Sequence, residues 1–239
     1  TAPGYLPNWT GFAFQARPAS LVVSGAGPSG GELGQAFARL GSQVTLLASR
    51  DGILPKEDPE AARVVQAQMA AEGVKILTAT RAQQVLVEGD KKVVITNTGD
   101  RLVVDEILLA AGRVPNVENL NLQAAGVEAC KPGIVVNAKL QTTNPKIYAA
   151  GDVIGGYQFT HVAGYEGAVA MQNAMVSIGP LAKKKPDYSV IPWATFTEPE
   201  LGRVGMTEQQ ARDRQGDDNF VLEHNFAHVD RALSEAAGN

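Results

Sequence analysis

The run Leu21-Val22-Val23-Ser24-Gly25-Ala26-Gly27-Pro28-Ser29-Gly30-Gly31-Glu32-Leu33-Gly34-Gln35-Ala36-Phe37-Ala38-Arg39-Leu40-Gly41 decides how the rest of the chain reads. Leu21-Val22-Val23 is a short, β-branched strand, and the small-residue stretch from about Ser29 to Leu40 is a helix that Gly41 ends. Between them Gly25, Gly27 and Gly30 have the spacing of a phosphate-binding turn. Gly25 allows the tight turn, Gly27 lets the backbone approach a pyrophosphate, and Gly30 lets the helix lie close on the strand. Pro28 and Ser29 complete the turn at the helix N-terminus. A glycine-rich turn alone is weak evidence. This one follows a strand and opens a helix, which is where a dinucleotide fold requires it.

Working outward, Val44-Thr45-Leu46-Leu47 makes a second buried strand, so the start of the chain is a βαβ unit with parallel strands and a right-handed crossover. Asp58 caps a second helix, Pro59 takes its first position and Gly73 stops it. Val74 to Leu77 is a third strand. The alternating segments 85–88, 92–96 and 101–104 read as an antiparallel meander, and 105–110 returns as an apolar strand ending at Gly112. Beyond it, 134–136 and 147–150 read as strands, with Gly151-Asp152 at the tip of the second. A small-residue helix follows over about 161–177, then a linker over 180–186. Strands at 194–196 and 202–205 and a helix capped by Thr207 open a further unit.

The residue that ends the second strand sets the cofactor, because an acid there accepts the ribose 2′-hydroxyl of NAD and repels a 2′-phosphate. That place holds Ala48. Ser49 and Arg50 follow, offering a hydroxyl and a guanidinium suited to phosphate, with Asp51 tempering the field. NADPH is expected over NADH. The alternative is that Arg50 is a solvated loop residue.

Composition narrows the function classes. The 239 residues can bury a sizeable core in two or more units, and 44% hydrophobic with 19% charged residues is the make-up of a globular chain. A net charge of −4 argues against nucleic acid, and Lys183-Lys184-Lys185 reads as a solvated connector. Apolar runs such as 107–111 are far too short for a bilayer, and no signal segment opens the chain, so the cytoplasm is expected. The single cysteine, Cys130, leaves no CxxC redox or metal motif. It reads as a loop or half-buried thiol, without a basic cluster to activate it.

Four separated motifs in order carry a resemblance. They are the run from Gly25 to Gly41, then Gly112-Arg113-Val114-Pro115-Asn116, Tyr148-Ala149-Ala150-Gly151-Asp152, and Phe196-Thr197-Glu198-Pro199-Glu200 with Val204-Gly205-Met206-Thr207-Glu208. Together they resemble the pyridine nucleotide–disulfide oxidoreductases, the family of glutathione reductase, dihydrolipoamide dehydrogenase and mercuric reductase, with 32–47 most similar to mercuric reductase. The resemblance implies an α/β fold: a three-layer Rossmann-like dinucleotide-binding domain inserted in an FAD domain, plus the start of an α+β interface domain. Residues 1–18 would be a crossing segment, 19–112 the NAD(P) domain, 113–188 the second half of the FAD domain and 189–239 part of the dimer interface.

The same resemblance implies FAD and NADP as cofactors, a small-molecule substrate such as a disulfide or metal ion, and a homodimer. Gly112 and Arg113 would border the cofactors, and Gly151 and Asp152 would meet the flavin ribityl chain. Thr160, His161, Val162 and Ala163 would point backbone amides at the flavin, and Glu32 would pair near it with a lysine upstream. Glu32 also reads as a first-turn helix acid favoured by the dipole. Pro28 stands where several relatives carry a tyrosine gating the nicotinamide pocket. The family's first GxGxxG and Cys-x4-Cys, and its C-terminal His and Glu, are expected to lie outside this chain, so it supplies no catalytic thiol pair. A non-catalytic NADP(H)-binding protein or subunit is the alternative from another class, and a dihydrolipoamide dehydrogenase-like enzyme the alternative within the family. A single-domain dehydrogenase is disfavoured because no Tyr-x-x-x-Lys pair follows the βαβ unit.

Overall fold

Leu21, Val22 and Val23 are completely buried, and they lie in the middle of a parallel sheet. The computed structural model describes residues 16–175, 183–216 and 218–234. Strands β1 (Ser20–Ser24), β2 (Gln43–Leu47), β3 (Lys75–Leu77) and β7 (Glu106–Leu109) stand in the order β3-β2-β1-β7. Leu21 is opposite Val44 on one side and Glu106 on the other.

Alternation along β1 sends its side chains to two layers. Leu21 and Val23 pack with Val44, Leu46, Ala62, Val65 and Met69 under the helices. Val22 packs with Leu47, Ile107, Val94 and Val104 on the opposite face. Each fully buried Val or Leu contributes about 1.5–3 kcal/mol of transfer free energy. The covering helices are α1 (Pro28–Arg39) and α2 (Pro59–Ala71), and the other cover is the antiparallel meander β4 (Ala82–Glu88), β5 (Lys91–Thr96) and β6 (Arg101–Val104). This is the expected three-layer dinucleotide fold.

Local signals placed α2 correctly. Asp58 accepts the Glu60 N–H at 3.1 Å, Pro59 holds the first position and Gly73 follows at φ +90°. Ala62, Val65 and Met69 are its buried face, at the 3–4 residue spacing of an amphipathic helix. Lys91 pairs with Asp105 and Lys92 with Glu106, tying the meander to the sheet.

Past the sheet the chain is poorer in regular structure than its sequence predicts. The expected strand 134–136 shrinks to β9 (Gly133–Ile134), paired with β8 (Ala129–Cys130), and Val136 makes one bridge to Thr142. The apolar run 147–150 is not a strand. Its bonds go to the loop just before it: Thr142 N–H reaches the Ile147 carbonyl, Ile147 N–H that of Asn144, and Ala149 N–H that of Leu140. A short 3₁₀ turn (Gly151–Ile154) leads to α3 (Thr160–Met175). Leu140, Val169 and Ala170 form a small core there, flanked by Tyr148 and Ile154. Cys130, like its β8 neighbour Ala129, is exposed rather than half-buried.

Strands β10 (Pro192–Thr195) and β11 (Leu201–Val204) pair antiparallel, and Leu201 joins the main core. Residues from Met206 onward form a second compact unit. It holds α4 (Glu208–Gln215), which begins with a complete capping box between Thr207 and Gln210, and α5 (Asp230–Ser234). Phe220, Val221 and Leu222 are exposed and belong to no regular element. Most of the expected crossing segment, positions 176 and 177 of the third helix and 180–182 of the linker lie outside the described residues. Among those described, no helix is long and apolar enough to cross a membrane.

Candidate functional site

The turn between β1 and α1 separates its glycines by cause. Gly25 has φ +113°, and a Cβ there would lie 2.4 Å from the Ala110 carbonyl oxygen. A Cβ on Gly30 would lie 1.8 Å from the Gly25 oxygen. Both glycines are demanded by the protein's own packing. Gly27 is not: its φ of −78° suits any residue, and a Cβ would meet nothing within 4 Å. A side chain there would obstruct only what arrives from outside.

That open space lies at the N-terminus of α1. Gly27 is the N-cap, no side chain caps the helix, and its first turn holds no acid. Uncapped N–H groups and the positive end of the helix dipole make a site for an anion. The residues present therefore fit a pyrophosphate. Pro28 and Ser29 are the first two residues of the helix, which begins one residue before the expected Ser29.

Because β1 and β2 are adjacent and parallel, the ends of both strands meet at this turn: the Gly25 N–H donates to the Leu47 carbonyl at 3.1 Å. Ala48 is fully buried, while Ser49 and Arg50 are exposed. The backbone there is fixed, with Thr80 N–H on the Ala48 carbonyl and Ala79 N–H on that of Arg50, both at 2.9 Å. Among the described residues the Arg50 guanidinium makes no ion pair.

A second group forms around α3. The Gly151 N–H donates to Glu166 Oε2 at 2.6 Å, and a Cβ on Gly151, at φ +80°, would lie 2.9 Å from that of Ala163. Gly151 and Asp152 are thereby set against the first turn of α3, beside Thr160, His161, Val162 and Ala163. That turn also has no acid. Val162 is buried and His161 is exposed, its ring stacked on Phe159 at 5.6 Å, so what this turn offers a ligand is backbone. Arg113, beside Gly112, reaches the Asp152 carboxylate at 3.3 Å and the Gln158 carbonyl. The Arg113–Asp152 pair is half exposed and adds at most about 1 kcal/mol of stability. Glu166 is buried and also accepts the Tyr188 hydroxyl at 2.7 Å; burial and this carboxylate push the Tyr188 phenol pKa up.

Glu32 accepts the Phe196 N–H at 2.9 Å, so in this chain it holds the loop between β10 and β11. Sequence reasoning missed three further residues around the turn. Glu57, which is buried, and the part-buried Trp193 and Arg203 form a cluster linking the loop after Arg50 to the β10–β11 hairpin. Trp193 and Arg203 also line an open cleft of about 420 Å³ with His161 and Val204.

The chain matches known proteins along most of its length. The profile of the pyridine nucleotide-disulphide oxidoreductases matches residues 4–167, and that of their dimerisation domain residues 191–239. The chain is 42% identical over 214 residues to a mercuric reductase of Lysinibacillus sphaericus, covering 88% of this chain and 38% of that protein. It is 39% identical over 203 residues to a dihydrolipoyl dehydrogenase of Bacillus subtilis (strain 168), covering 84% and 43%. The solved structure of the HOCl-induced flavoprotein disulfide reductase RclA from Escherichia coli superposes with a TM-score of 0.88 at 30% identity, over 100% of this chain and 54% of that one. The chain thus spans about two fifths of the length of these curated relatives.

Proposed function

Since the chain belongs to the pyridine nucleotide-disulphide oxidoreductase family, we propose that it is the NADPH-binding part, with one flank of the FAD site, of a cytoplasmic reductase resembling mercuric reductase. When bound, NADPH supplies the reducing equivalents and FAD relays them to a disulfide or metal-ion substrate. Residues 19–112 would be the nucleotide domain, 113–188 the second half of the FAD domain, 189–239 part of a homodimer interface and 1–18 the crossing segment. The dimerisation-domain match and the exposed Phe196 and Val204 support the last assignment but one.

The chain's own residues have separable tasks. Gly25 and Gly30 shape the turn, Gly27 leaves room for the pyrophosphate, and the start of α1, Pro28 and Ser29, presents the helix dipole to it. Ala48 removes the acid that would repel a 2′-phosphate, and Ser49 with Arg50 would bind it. Gly151 and Asp152 would hold the ribityl chain, with Gly112 and Arg113 at the border between cofactors. Thr160, His161, Val162 and Ala163 would turn amide donors toward the flavin, and Glu32 would steady the site's edge. One observation carries the reading: the unexplained open space over Gly27, at an uncapped helix N-terminus, one strand away from Arg50, which makes no ion pair among the described residues. Calorimetric titration tests it. NADPH should bind more tightly than NADH, and equal or reversed affinities would overturn the assignment.

A further inference from the structure

The loop after Arg50 is held from three directions. The Leu54 N–H donates to the Ala26 carbonyl in the glycine turn at 2.7 Å, and the Ile53 N–H to Gln66 Oε1 on α2 at 3.1 Å. The third anchor comes from the β10–β11 hairpin. Trp193 Nε1 donates to Glu57 Oε1 at 2.9 Å, and Arg203 donates to the Lys56 carbonyl at 2.7 Å. Arg203 also lies 3.6 Å from Glu57 Oε2 and covers the Trp193 ring at 4.6 Å.

As a source of stability this cluster is poor. The side chains of Glu57 and Arg203 are 4% and 11% exposed, and burying such a pair costs desolvation that the attraction offsets only with good geometry. Glu57 Oε2 has no hydrogen-bond donor among the described residues. As a geometric fixture the cluster is good. Trp193 is packed against Phe159 at 5.6 Å, Tyr157 at 5.8 Å and Arg203, so its N–H is aimed by a locked ring.

We infer that Trp193 and Arg203 are positioning residues for cofactor discrimination: through Glu57 they hold the loop that continues from Arg50 against the glycine turn, and so fix where the guanidinium meets a 2′-phosphate. The inference rests on the NADPH reading above. Its physical link is short. Leu54 lies between Arg50 and Glu57 and bonds directly to the turn, so a shift of Glu57 moves the loop on which the phosphate contact depends. Charge-assisted contacts to phosphate are geometrically demanding. NADH has no 2′-phosphate and is indifferent to the placement.

The test is Trp193→Phe in the full chain, which keeps a ring and removes the donor, titrated by calorimetry with NADPH and with NADH beside an Arg50→Glu control. NADPH affinity should fall about tenfold, equivalent to ~1.4 kcal/mol, with NADH affinity unchanged. A parallel loss for both cofactors would make the hairpin a mere structural support and overturn the inference. If Arg50→Glu removes the NADPH preference while Trp193→Phe keeps it, the inference falls and the NADPH reading stands. If the unaltered chain has no preference, both fall. Glu57→Gln is isosteric and keeps an acceptor for Trp193, so it serves where Trp193→Phe does not fold. A smaller drop in the NADPH:NADH ratio supports the inference, and an unchanged ratio overturns it.

Discussion

Gln35 meets the backbone of Glu198 as one peptide group meets another in a sheet: its Oε1 accepts the Glu198 N–H and its Nε2 donates to the Glu198 carbonyl, both at 2.7 Å. Gln35 is buried, and its amide also reaches Glu72 at 3.1 Å. With Glu32 on the Phe196 N–H, this contact fastens α1 to the loop between β10 and β11.

Gln35→Ala leaves both polar groups of the Glu198 backbone without these partners, which should cost about 2–4 kcal/mol. Urea unfolding measures it. Gln35→Glu should be as damaging at neutral pH, because a carboxylate would face the Glu198 carbonyl and Glu72, and should recover partly on acidification. A loss below about 0.5 kcal/mol for the alanine variant would show that water replaces the clamp.

The glycines of the turn should respond in opposite ways. Gly30→Ala places a methyl 1.8 Å from the Gly25 oxygen, and the turn must open, with a loss exceeding about 3 kcal/mol. Gly27→Ala should leave the melting temperature unchanged or raise it, since a less flexible unfolded chain is worth about 0.4–1 kcal/mol, yet weaken NADPH at least tenfold (~1.4 kcal/mol). An alanine at 27 that binds NADPH normally would move the phosphate elsewhere.

Arg50→Glu should reverse the cofactor preference. Losing a charge-assisted contact of about 1.5–3 kcal/mol lowers NADPH affinity by roughly 10- to 100-fold, while NADH is spared. In the unaltered chain the NADPH advantage should shrink as salt rises, because Arg50 is exposed and screened. A preference insensitive to both changes would relocate its source.

Acid should unfold the chain through two carboxylates. The Arg39 guanidinium, aided by Gln68 and Gln35, holds Glu72 down to about 2; Lys91 and then Ser20 hold Asp105 at about 2. A depressed carboxyl contributes stability that is complete above its unfolded value and lost as pH falls through the folded one. The window for Glu72 therefore runs from about 4.5 down to about 2. Arg39→Met should raise the midpoint of acid unfolding followed by circular dichroism, and for a part-exposed pair the change at neutral pH should stay under about 1 kcal/mol. An unmoved midpoint would mean that Gln68 and Gln35 suffice.

Cys130 is the single thiol and is exposed at the end of β8, its Sγ 3.6 Å from the Gly133 carbonyl oxygen. One thiol cannot cycle between dithiol and internal disulfide, so this chain should not couple NADPH oxidation to disulfide or mercuric ion reduction. Absorbance at 340 nm reports it, with and without FAD. Turnover that disappears in Cys130→Ser would refute the assignment of an inert cysteine.

Much of this was legible because it is local. Asp58, Pro59, Gly73 and Thr207 act within a few residues of themselves, and the structure uses them as the sequence implies. The βαβ turn was legible for the same reason. The run 147–150 misled because a short apolar stretch has one appearance whether its hydrogen bonds go to a neighbouring strand or, as here, to the preceding loop. Glu57 was invisible: its partners are 136 and 146 positions away, and nothing periodic announces a buried ion pair. Glu32 lies on α1 as expected, but as its fifth residue rather than in the first turn, and its contact with Phe196 needed the folded chain.

The composition of α1 also bears on the order of folding. Gly30, Gly31 and Gly34 fall within its twelve residues, each about 1 kcal/mol poorer than alanine as a helix former. A segment so written cannot nucleate alone. It should become a helix only as β1 and β2 pair and Val23 and Val44 offer a floor close enough for Gly34 to lie on. The element that would grip the phosphates is therefore made by its neighbours, and its amides should exchange with solvent in the same cooperative step as those of the sheet beneath.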